Sequence, residues 1–82
     1  MNVDAVRSHL QAQEEVLKID DLHIWTLDGE YNIMTVDVCV DPALTVRELE
    51  QFKAQTRHQL KEMNVQHITF EFRPLDHSRP CP

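Results

Sequence analysis

Residues 19–31 read IDDLHIWTLDGEY. This stretch joins a carboxylate pair, a histidine two positions from the only tryptophan, and an Asp-Gly dipeptide. Ile19 to Leu27 is rich in β-branched and aromatic residues and alternates in part, which reads as a strand. Asp28-Gly29 suits a two-residue type I′ turn, whose central positions both need positive φ. Gly29 is the only glycine in the chain, and it stands where the backbone most needs one. The return strand runs from about Tyr31 to Val40. Met34, Val36, Val38 and Val40 point one way; Ile33, Thr35, Asp37 and Cys39 point the other. That alternation describes a half-buried strand with a polar outer face.

Outward from this hairpin, the apolar spacing changes period. Val3, Val6 and Leu10 are three and four apart, which predicts a short helix over 3–13. Pro42 stops the second strand. Thr45 and Glu48 then make a capping-box pattern, with Leu44 and Leu49 placed for a hydrophobic staple. Leu49, Phe52, Thr56, Leu60 and Met63 form one stripe of a long helix, and Asn64 is a left-handed stop. Val65 to Arg73 alternates again, with Ile68, Phe70 and Phe72 facing in and His67, Thr69, Glu71 and Arg73 facing out. The tail PLDHSRPCP has three prolines in nine residues and no periodicity, so 74–82 is read as irregular. The order α-β-β-α-β predicts an α+β open-faced sandwich, with both helices on one face of a small sheet. The connection through the long helix should be a right-handed crossover.

Composition sets the outer bounds. Eighty-two residues make one small domain, and 41% hydrophobic with 27% charged residues is ordinary globular usage. No run approaches the roughly 20 apolar residues needed to cross a bilayer, so direct membrane insertion is not expected. A net charge of −6, from 14 acidic and 8 basic side chains, repels phosphate backbones and argues against nucleic-acid binding. It does not repel divalent cations. Cys39 and Cys81 are too few and too far apart to suggest a disulfide framework, and a reducing, cytoplasmic setting fits them. One glycine cannot make a phosphate loop, and no nucleophile signature surrounds Cys39, so an enzyme is not expected.

The outer face of the sheet carries the chemistry that remains. Asp37 on the second strand and His67 and Glu71 on the third project to that side. Asp20 joins them if it shares parity with Leu22 and Ile24, which puts His23 and Trp25 on the opposite face. Carboxylate oxygens and imidazole nitrogens suit Zn²⁺ and other divalent transition metals. The competing reading is a merely solvated polar face, common in antiparallel sheets. His23 with Trp25 reads first as packing and only second as a ligand. His58 and Glu62 read as a solvated i,i+4 pair. His77 and Cys81 are soft donors on an untethered tail, and are weaker candidates.

Asp-Leu-His-Ile-Trp at 21–25, Val-Asp-Pro at 40–42 and His-Ile-Thr-Phe at 67–70 together resemble one family. It is the cytosolic C-terminal domain of cation diffusion facilitator (cation efflux) transporters, and the resemblance spans about residues 3–73. It implies a ferredoxin-like, metallochaperone-like fold over 1–73, a homodimer, and a position beneath the membrane domain of a zinc-type exporter in the cell membrane. Binding of cytosolic metal at the dimer interface would then draw the protomers together. Relatives usually carry histidine where this chain has Asp20, and often where it has Asp37. Glu71 stands where a His or acidic ligand is expected, with Arg73 beyond it, and His67 matches a family histidine. The implied ligand set, Asp20, Asp37, His67 and Glu71, is shifted toward oxygen, which predicts weaker or altered zinc binding. Two alternatives stay open: a metal-independent structural dimerisation module, and a freestanding metallochaperone-like domain.

Overall fold

The computed structural model describes residues 2–76. Apolar spacing at the start of the chain gives helix α1, Val3–Gln11, capped by the Asn2 side chain, which accepts from the Ala5 N–H at 3.1 Å. Val6 and Leu10 are fully buried while Val3 is largely exposed, so the inward stripe is two residues wide. Strands β1, Lys18–Leu27, and β2, Tyr31–Val40, form the antiparallel hairpin. Asp28 and Gly29 both have positive φ (56° and 77°), as the turn chemistry requires, and pairing resumes with Leu27 opposite Tyr31.

Helix α2, Val46–Glu62, is specified at both ends by its sequence. Thr45 Oγ1 accepts from the Glu48 N–H at 3.1 Å, and Glu48 Oε1 accepts from the Thr45 N–H at 3.1 Å, completing the capping box. Leu44 and Leu49 both pack against the core, as the staple requires. At the other end Asn64 takes φ 68°. The Val65 N–H then reaches the Leu60 carbonyl at 2.9 Å, and the Asn64 N–H reaches that of Lys61 at 3.1 Å. These are the paired bonds of a Schellman termination, with Val65 and Leu60 buried as its apolar contact. Val65 therefore belongs to the helix stop rather than to the last strand. Strand β3 is His67–Pro74, and Leu75 still donates to the Val40 carbonyl at 2.8 Å, so ordered pairing continues into the tail expected to be irregular.

The sheet order is β1-β2-β3, with β3 parallel to β2, as a crossover through α2 demands. Met34, Val36, Val38 and Val40 meet Val6, Leu10, Phe52 and Leu60 in one core on the helical side. Each large aliphatic side chain buried there contributes about 1.5–3 kcal/mol relative to exposure. Phe52 fixes α2 across the sheet, edge-on to Phe70 (5.9 Å) and Phe72 (6.1 Å), whose own rings stack at 5.8 Å. Cys39 is buried and disulfide-bonded, which corrects the expectation that the two cysteines are too few and too far apart for a disulfide framework. Cys81, the other cysteine of the sequence, lies outside the described residues.

Asn32 is a buried polar group with every partner supplied. Its N–H donates to Gln66 Oε1 and its Nδ2 to the Asn64 carbonyl, both at 2.7 Å. Its Oδ1 accepts from the Thr26 hydroxyl, and its carbonyl accepts from the Gln66 N–H at 3.0 Å. Asn32 thus ties the end of α2 to the hairpin through its side chain and the start of β3 through its backbone. Asn32→Ala should cost about 1–3 kcal/mol by leaving the Asn64 carbonyl and the Thr26 hydroxyl without their side-chain partner. Thr45→Ala, at the exposed cap, should cost about 1 kcal/mol. Urea denaturation of the two variants checks both values and their order.

Candidate metal centre

The outer face depends on an irregularity in β1. Ile19 stands opposite Val38 and Leu22 opposite Val36, so Asp20 and Asp21 together oppose the single residue Asp37. The extra residue is a β-bulge, and it resets which side chains point outward. Leu22 and Ile24 pack against the core, whereas Asp21, His23 and Trp25 are exposed. The condition under which Asp20 would join the outer face, a regular parity shared with outward-facing Leu22 and Ile24, is therefore not met, and His23 and Trp25 face outward instead. Parity was counted along an unbroken strand, and a bulge shifts it by one.

Across the outer face, register aligns Asp21, Asp37 and Glu71 in one row, on neighbouring strands about 4.8 Å apart. Asp20, the residue inserted by the bulge, comes just before this row in β1 and has no Cα partner of its own on β2. Both of its carboxylate oxygens are buried, and neither has a hydrogen-bond partner. A buried carboxylate normally finds donors, because its dehydration is otherwise uncompensated. Asp37 is mostly buried and has the Arg73 guanidinium 3.8 Å away. Glu71 is exposed. Asp21, which sequence reasoning passed over in favour of Asp20, pairs with His23 Nε2 at 3.0 Å. Both of those side chains are more than half exposed, so that pair adds little stability.

The remaining candidates fall elsewhere. His67 is on the same face but opposite Ile33, four residues along β3 from Glu71. At about 3.3 Å per residue this is roughly 13 Å away, too far for both to ligate one ion. His58 and Glu62 are exposed and form no ion pair. His77 and Cys81 lie outside the described residues. Among the described residues of one chain, no three His, Cys, Asp or Glu side chains converge closely enough to hold a metal. The arrangement is a partial donor set: oxygen ligands in a row, a neighbouring carboxylate buried without a partner, and a resident cation.

The model of the cation efflux protein cytoplasmic domain matches residues 1–72. The chain is similar to the cadmium, cobalt and zinc/H(+)-K(+) antiporter of Bacillus subtilis, 28% identical over 75 residues. That alignment covers 92% of this chain and 24% of the antiporter, so the chain spans about a quarter of that relative's length. Among solved structures it resembles the metal-bound C-terminal domain of the CzcD transporter from Cuprividus metallidurans. That likeness has 26% identity, a TM-score of 0.71, and coverage of 89% of this chain and 99% of the other. CzrB, described as a putative zinc transporter, shares the fold at a TM-score of 0.79 and 18% identity, over 90% of this chain and 93% of its own. No helix among the described residues is long and apolar enough to cross a membrane. With the family model spanning residues 1–72 of 82, this chain belongs to the family of cation efflux protein cytoplasmic domains.

Proposed function

We propose that this chain is the regulatory and dimerisation domain of a divalent-cation efflux transporter, and that it senses cytosolic metal at or near the interface between two copies. The observation that carries the metal half is Asp20. Its two oxygens are buried with no donor, and it is next in sequence to Asp21, which register aligns with Asp37 and Glu71. A divalent cation is the partner that such a carboxylate lacks. The donor set fits a metal as a half-site. One chain offers too few convergent ligands, and a second copy across the outer face would supply more. The homologous domain of CzcD is metal-bound, which agrees with this reading. Oxygen donors favour hard ions and hold zinc less tightly than imidazole or thiolate.

The dimer half rests on the hairpin end of the same face. Trp25, Leu27 and Tyr31 are 45%, 49% and 45% exposed, and register groups them with Ile33. An apolar patch of this kind on a small domain marks an association surface. One observation favours the metal-independent alternative: Arg73 already stands beside Asp37 and competes for it.

Calorimetry with Zn²⁺, Cd²⁺ and Mn²⁺ should give binding tighter than millimolar; its absence removes the sensing role and leaves a dimerisation module. At ten times the dissociation constant, metal should stabilise the fold by roughly 1.4 kcal/mol. For a domain of this size that raises Tm by about 5–10 °C. Asp37→Ala should abolish that rise. Asp20→Asn should abolish it too, while stabilising the metal-free chain by about 1 kcal/mol, since an uncompensated charge is removed. Trp25→Glu should shift the chain toward monomer in sedimentation equilibrium while circular dichroism shows its fold retained, because Trp25 lies outside the core.

A further inference from the structure

Two basic side chains and two histidines gather around a cavity of about 320 Å³ between the last turns of α2 and the start of β3. Arg57, His58 and Lys61 line it from the helix, and Gln66 and His67 from the chain entering β3, with Val65 and Ile68 at its apolar floor. No carboxylate lines it. Neither Arg57 nor Lys61 pairs with a carboxylate among the described residues. Lys61 has a local reason for its position, the negative end of the α2 dipole. Arg57 lies one turn back, and His67 comes from another element, so the helix end does not account for either.

We propose that this cavity binds a compact phosphoryl anion, either free in solution or as a phosphomonoester headgroup. The Arg57 guanidinium lies 5.3 Å over the Phe70 ring, so its plane is held before any ligand arrives. A planar fork of donors beside a lysine ammonium matches phosphate oxygens. His58 from the helix and His67 from the start of β3 are both among its lining residues, and ring nitrogens there suit an oxyanion with several equivalent oxygens. They do not make a metal site, because two fixed cations beside them repel a third. The size of the anion is limited by the rest of the molecule. A chain of net charge −6 repels an extended polyanion but admits a small one into a locally positive cavity. The cavity lies away from Asp20, Asp37 and Glu71, so this site is independent of the proposed metal centre.

The test is a heteronuclear NMR titration with inorganic pyrophosphate at constant ionic strength, with chloride as the control. Saturable shifts should appear at residues 57–68 and not at the outer-face carboxylates. Arg57→Gln and Lys61→Gln, both exposed, should each weaken binding about tenfold. Circular dichroism verifies their fold, and if the Arg57 variant is perturbed the Lys61 variant carries the test alone. Co-sedimentation with phosphatidylcholine vesicles containing phosphatidic acid, reversed by pyrophosphate, assigns the site to a headgroup. Pyrophosphate binding without co-sedimentation assigns it to a soluble anion. Absence of saturable shifts, shifts centred elsewhere, or undiminished binding in the folded variants overturns the proposal.

Discussion

One extra residue in β1 governs this structure. Ile19, Leu22 and Ile24 all need the core, yet Ile19 has the opposite parity to the other two. A regular strand would send either Ile19 or the Leu22–Ile24 pair into water. Inserting Asp20 as a bulge lets all three turn inward and leaves Asp21, His23 and Trp25 outside. Hydrophobic burial thus forces the irregularity, and the irregularity sets two aspartates against one residue of β2. The candidate metal row is a by-product of packing the other face.

That row holds opposing electrostatic demands within one sheet surface. Asp20 presents buried oxygens that have no donor, a state that a bound cation would relieve. Arg73, two residues beyond Glu71, already supplies a positive charge next to Asp37. The Arg73 guanidinium is half exposed and stands 3.8 Å from Asp37, so this pair is weakly held. In the proposed function, a metal ion would have to compete with this guanidinium for Asp37.

Charge is also sorted along the helical layer. Glu14, Glu15, Asp41 and Glu48 surround the depression near the start of α2, while Arg57, His58, Lys61 and His67 surround the one near its end. Glu48 and Lys61 suit the positive and negative ends of the α2 dipole. At both ends residues outside α2 add the same sign of charge: Glu14, Glu15 and Asp41 at the acidic end, His67 at the basic one. Asn32 fixes that junction, since it ties the residues following α2 to β2. The latch that holds the crossover in register thereby also shapes the cavity.

Local chemistry made most of the fold legible in the sequence. The Asp-Gly turn, the Thr45–Glu48 box, the Asn64 stop and the period-two alternation of β2 and β3 each act over a few residues, and each formed as read. The element order and the helical face followed from them. Chain pairing was not legible, because it is settled by contacts between residues distant in sequence. His67 and Glu71 looked equivalent on one strand face, and only the register against β2 put them in different rows. Asp20 and Asp21 were adjacent carboxylates until β2 placed both opposite Asp37. The sequence by itself determined which residues could turn, cap and alternate. Tertiary structure alone decided which charges meet, because burying three apolar side chains of mismatched parity required a bulge that no local preference encodes.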